Sequence, residues 1–149
     1  MALMEAVREF IKKCPYLEDF NREIGVDYLG EGMTTYVLEN TPVDPIVQGY
    51  TDGSSERRFA FVFASREPYG EDTIINLENI EFYEHMAAWM EACTLKGELP
   101  ELGGGRQALS MKAMTTPYLY TADLDKARYQ IQCELIYYQP RDFYKECKQ

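Results

Sequence analysis

Phe59-Ala60-Phe61-Val62-Phe63-Ala64 is the run on which the fold turns. Its phenylalanines alternate with Ala60, Val62 and Ala64, so an extended chain here is apolar on both faces. A strand of that kind belongs in the middle of a sheet, covered on both sides. Helices are the expected cover on one face, and a neighbouring subunit is the candidate for the other. Upstream, Thr51-Asp52-Gly53-Ser54-Ser55 is turn chemistry, with Gly for positive φ and Asp to cap the local backbone. Pro45 to Ser65 is therefore expected as strand, turn, strand.

Further upstream, Thr34 to Leu38 reads as a strand with Tyr36 and Leu38 on one face, and Ile24 to Leu29 as a short apolar piece. Leu3, Ala6, Val7, Phe10, Ile11 and Cys14 follow helical spacing up to Pro15, which stops the helix. Downstream, Pro68 and Gly70 break the central strand. Asp72 is the expected N-cap of a long helix whose apolar face is Ile75, Phe82, Met86, Trp89, Met90 and Cys93, ended by Gly97 and Pro100. A loop from Glu98 contains Gly103-Gly104-Gly105. Two long strands follow, Gln107 to Tyr120 and Lys126 to Gln139, joined at Ala122-Asp123-Leu124-Asp125. In the second, Tyr129, Ile131, Cys133, Leu135 and Tyr137 point inward, while Arg128, Gln130, Gln132 and Glu134 point outward. This terminal hairpin is expected to give the longest ladder.

The order predicts an α+β fold, an antiparallel sheet with two helices packed on one face. It forms a single domain over residues 1–140, followed by a polar, frayed tail at 141–149. The length of 149 residues suits one domain that folds without disulfide or metal.

Charge excludes several function classes. Twenty-five acidic against 15 basic residues give a net charge of -10, which disfavours phosphate-backbone binding and docking on an anionic membrane. No stretch approaches the ~20 apolar residues of a membrane helix. The charged N-terminal segment does not read as a secretory signal. Cys14, Cys93, Cys133 and Cys147 form no C-x-x-C pair, and the first three fall on predicted buried faces. They read as core hydrophobes in a reducing cytoplasm.

The chemical motifs fail on context. His85 is the only histidine, and Trp89 stands where H-E-x-x-H needs its second histidine. Gly103-Gly104-Gly105-Arg106-Gln107-Ala108 spells G-x-G-x-x-A, but with a helix before it and a strand after, the reverse of a dinucleotide site. A connector, or a loop that orders against a partner, is the alternative reading. Asp123 and Asp125 lack the rest of a calcium loop, and Ser54-Ser55 lacks a nucleophile frame. No catalytic, cofactor or metal residue is therefore assigned. The 12 tyrosines suit strands and protein contact.

Several segments together carry a family likeness. They are Met4-Glu5-Ala6-Val7-Arg8 with Cys14-Pro15, and Phe59 to Glu67 followed by Tyr69-Gly70-Glu71-Asp72 and Asn76-Leu77-Glu78-Asn79. Leu99-Pro100-Glu101-Leu102-Gly103 and Ala127 to Cys133 complete the set. Over nearly the whole chain this resembles the small minor capsid proteins of phages and prophages of Gram-positive bacteria. That family is similar in size and element order to phage tail terminator proteins. The resemblance implies a non-enzymatic virion protein, assembled in the host cytoplasm into a homo-oligomeric, hexameric ring. The ring would cap the tail tube, meet the head connector and let DNA pass without sequence-specific contact. Asp52, Ser55, Arg57, Arg58, Glu101 and Arg106 are the expected contact residues, on the Asp52–Ser55 tip, the following strand and the Glu98–Arg106 loop. A small cytoplasmic transferase and a generic protein-binding adaptor are the rival readings.

Overall fold

A computed structural model describes residues 2–17, 24–26, 35–68, 73–122 and 126–146. Seven strands form one mixed, mostly antiparallel sheet: β1 (Ile24–Val26), β2 (Thr35–Thr41), β3 (Ile46–Gly49), β4 (Ser55–Pro68), β5 (Gln107–Ala113), β6 (Tyr118–Ala122) and β7 (Lys126–Gln139). The helices are α1 (Leu3–Ile11), α2 (Thr73–Lys96) and a single turn, α3 (Phe143–Glu146). The expected α+β architecture is the observed one.

The middle of the sheet is β4 against β7, antiparallel and in register along all 14 residues of each strand, from Ser55 opposite Gln139 to Pro68 opposite Lys126. This non-sequential pair, not the terminal hairpin, is the longest ladder. β2 and β3 lie end to end along the far edge of β4, with 42–45 between them. β5 and β6 lie end to end along the far edge of β7. The expected strand from Gln107 to Tyr120 is therefore two strands, broken at 114–117, where Pro117 has no N–H to give a ladder. β1 pairs with β2 in parallel, the one departure from antiparallel order among the described residues.

Side chains at 59, 61, 63 and 65 share a face with 129, 131, 133 and 135. Phe61, Phe63, Ile131, Cys133 and Leu135 have no exposed surface there. Burying a phenylalanine stabilises the fold by ~1.5–3 kcal/mol relative to leaving it in water. α1 supplies Val7, Phe10 and Ile11 to this core and α2 supplies Tyr83, Met86 and Met90, so both helices cover the same face. Phe10 stacks on Trp89 with ring centroids 4.9 Å apart. α1 stops at Ile11, ahead of Pro15, yet Cys14 is still buried through the following turns. Arg8 Nε donates to Ile24 O at 2.7 Å and ties α1 to β1.

α2 ends as its sequence indicates. Gly97 has φ +77°, Glu98 N–H donates to Cys93 O at 2.9 Å and Gly97 N–H to Thr94 O at 3.2 Å, a Schellman closure. Thr94 Oγ1 accepts Met111 N–H at 3.0 Å and lies 2.8 Å from Met111 O. One helix hydroxyl thus satisfies an edge position of β5.

The second face of β4 is not apolar throughout. Arg128 on β7 ion-pairs with Glu39 on β2, two strands away. Ala64 lies between them in the register and has no exposed surface. Arg128 also donates to Gln130 Oε1 at 3.0 Å, and Gln130 Nε2 to the Tyr118 hydroxyl at 2.6 Å. Gln130 and Glu134, expected outward, are only 7% exposed on this face, where Gln130 bonds Arg128 and Tyr118 and Glu134 lies 3.9 Å from Arg58.

Asp27 to Leu29, Thr34, the Asp72 cap, the Asp123–Asp125 turn and Cys147 lie outside the described residues. So does the side chain of Ile75.

Candidate functional site

The β3–β4 turn is built as its residues dictate. Ser54 N–H and Oγ donate to Asp52 Oδ1 at 2.9 and 2.5 Å, and Gly53 has φ +92°. A Cβ on Gly53 would lie 2.7 Å from Arg141 Cγ, so the chain after β7 packs on this tip. The Ser54 hydroxyl and N–H hold Asp52 below the usual carboxylate range, helped by Arg141.

Ser55 begins β4 opposite Gln139, and Arg57 lies opposite Tyr137. Arg57 Nε donates to Ser55 Oγ at 2.9 Å. Burial pushes the Tyr137 hydroxyl up, while the Arg57 and Arg106 charges pull it the other way.

The glycine loop reaches the same end of the sheet. Glu101 bridges Gln107, and Gln107 lies opposite Tyr138. Gly103, Gly104 and Gly105 all have positive φ, which lets the backbone fold back on Arg106. Arg106 N–H donates to Gly103 O at 3.1 Å, and its Nη2 to Leu102 O at 2.6 Å. Its guanidinium carbon sits 4.5 Å from the centre of the Phe143 ring. The loop is therefore closed by its own arginine rather than being a free connector. Within the segment expected to fray, Phe143–Glu146 form a turn of helix, and Phe143 lies under that arginine.

Tertiary structure thus gathers Asp52, Ser55, Arg57, Glu101 and Arg106 at one end of the sheet, around the end of β7. Arg58 is not among them. It alternates to the opposite face, 3.9 Å from Glu134, and its Nε is buried without a partner among the described residues. Tyr137, expected only as an inward strand residue, completes the cluster with Arg141 and Phe143, which the sequence does not single out. The signal available was Arg141 directly after Pro140, where the terminal strand must stop.

Arginine guanidinium groups bind carboxylates by charge-assisted, often bidentate hydrogen bonds. Elsewhere, His85 is exposed and pairs with Glu81 at 3.6 Å on α2. Cys14, Cys93 and Cys133 are buried. Among the described residues, no three His, Cys, Asp or Glu side chains converge as metal ligands, and no helix is long and apolar enough to cross a membrane. In comparisons with known proteins, the chain matches no protein-family model and no curated protein.

Proposed function

We propose that this chain is a non-enzymatic structural protein of a phage virion, a tail terminator or related head–tail joining protein. It works as a ring of identical copies that caps the tail tube and presents a surface to the head connector. The likeness of the Phe59 to Glu67 and Ala127 to Cys133 segments to minor capsid proteins supports the class. The observation that carries a binding role is the arginine-bearing end of the sheet. Three chain segments far apart in sequence meet there, at the Asp52 turn, the Arg106 loop and the Arg141 end. The net charge of -10 supports the same reading, because a carboxylate-lined lumen repels passing DNA instead of trapping it.

The protein is then a component of the particle, assembled in the host cytoplasm. Mass spectrometry of purified particles should find it. Particles made without its gene should show separate heads and tails, with tails of irregular length. Normal infectious particles lacking the protein would overturn the proposal.

A further inference from the structure

A notch of about 230 Å³ opens where 42–45 separates β2 from β3 along the edge of β4. Leu3, Pro42, Val43, Pro45 and Phe59 give it apolar walls, Tyr137 completes the floor, and among the described residues no acidic side chain lines it. Val43 is 43% exposed, so the notch opens on solvent. Tyr137 is 4% exposed, yet its hydroxyl makes no hydrogen bond among the described residues. Arg57 stands beside the notch, opposite Tyr137 in the register and two residues before Phe59 on the same face. Its Nε donates to Ser55 Oγ, and among the described residues no carboxylate lies within 4 Å of its guanidinium. Asp44, the acid between Val43 and Pro45, is engaged by its own turn, its Oδ1 accepting Ile46 N–H at 3.1 Å.

We infer that this notch captures the C-terminal residue of a partner protein, with its apolar side chain in the notch and its carboxylate on Arg57 and the Tyr137 hydroxyl. The inference rests on the binding role proposed for this end of the sheet, and it names the partner's chemistry. Charge selects an anion. The charges acting on the Tyr137 hydroxyl are those of Arg57 and Arg106, both positive, and burial keeps the hydroxyl protonated and able to donate. With Nε spent on Ser55, Arg57 keeps its two terminal nitrogens for a carboxylate. Size selects one side chain, since an apolar cavity of about 150 Å³ already admits a benzene ring. The two requirements meet at Tyr137, which lines the notch and carries the donor, so one residue of the partner must supply both charge and apolar bulk. A C-terminal Leu or Phe carries both on one α-carbon, whereas an internal acidic residue leaves the apolar group to a neighbour. Capture of a terminal carboxylate is an established mode of peptide recognition.

The test is fluorescence anisotropy of the full chain with N-terminally labelled pentapeptides, Gly-Ser-Gly-Ser-Phe and Gly-Ser-Gly-Ser-Leu, each as free acid and as C-terminal amide. The free acids should bind, and the amides should bind at least about tenfold more weakly. Arg57→Gln and Tyr137→Phe should each weaken the free acid by about tenfold, with circular dichroism showing that both variants fold. Lys112→Gln removes a positive charge from the opposite face and should leave binding unchanged. Unlabelled 3-phenylpropionate carries the same two groups without a peptide and should compete at least about tenfold more weakly than the unlabelled peptide. No binding by either free acid, equal binding of acid and amide, or unimpaired Arg57→Gln and Tyr137→Phe proteins would each overturn the inference. Equal competition by 3-phenylpropionate would overturn it too, in favour of a small carboxylic acid. Detection in particles is a separate measurement, so a virion protein that ignores these peptides would keep its proposed role and lose only this site.

Discussion

The hydroxyls of Ser65 and Tyr83 meet at 2.5 Å inside the core, and the Tyr83 hydroxyl donates onward to Tyr129 O at 2.9 Å. With its one hydrogen spent on that carbonyl, the Tyr83 hydroxyl accepts a hydrogen bond from the Ser65 hydroxyl. This chain joins β4, α2 and β7 through groups that are fully or almost fully buried. Tyr83→Phe should cost ~1–3 kcal/mol, because it removes the hydrogen bonds made to a buried carbonyl and a buried hydroxyl. Ser65→Ala should cost less, since it removes only a donor. Urea denaturation of the two variants checks the order.

Thr94 fastens α2 to β5 through both polar groups of Met111. Thr94→Val keeps the shape and removes the hydroxyl, so a loss of ~1–3 kcal/mol is expected. Amide exchange should accelerate at Met111 more than at Ile131 in the sheet centre.

Gly97 and Gly53 both have positive φ but differ in surroundings. A Cβ at Gly97 meets nothing within 4 Å, while one at Gly53 reaches Arg141 Cγ at 2.7 Å. Gly97→Ala should therefore cost only the left-handed backbone penalty, ~1–2 kcal/mol. Gly53→Ala should add displacement of Arg141 and lower the melting temperature further. Arg141→Ala in the Gly53→Ala background should recover the excess.

Removing the Arg106 side chain should loosen the glycine loop before it affects the core. Arg106→Ala loses the bonds to Leu102 O and the contact with Phe143. Limited proteolysis should then cut within 98–105 faster than in the wild type, with near-native circular dichroism.

Burial pushes the Cys133 thiol far above its ordinary value of 9.0, and burial also raises Cys93. The folded state holds these protons where the unfolded chain releases them. Their stabilising contribution is whole below pH ~8.5–9 and falls as pH rises beyond it. Cys133→Ala should flatten the loss of stability measured by denaturation between neutral and alkaline pH. A thiol reagent should leave Cys14, Cys93 and Cys133 unmodified until the chain unfolds.

The legible parts of the fold were those set by local pattern. The Phe59 to Ala64 alternation marked the central strand, and the inward set Tyr129 to Tyr137 was read correctly. Spacing indicated Met86, Met90 and Cys93 as the buried stripe of α2, but passed over Tyr83, a polar-tipped residue whose burial depends on Ser65 and Tyr129. At the candidate site, Arg57 and Arg106 stand out in the sequence only for lying beside strands and loops. Nothing in their spacing said that both would stand near Tyr137, or that Arg58 would turn to the other face to meet Glu134.

The two long helices, the β4 and β7 strands and the Asp52 turn were determined by the sequence alone, because alternation, helical spacing and glycine conformations act over a few residues. The α+β class followed from their order. Only the tertiary structure decided that β4 pairs with β7 and that 42–45 and 114–117 interrupt the outer strands. It also decided that the Asp52 turn, the Arg106 loop and the Arg141 end converge. Those outcomes depend on which strands meet across long stretches of chain. Packing between distant residues sets that choice, and local pattern carries no record of it.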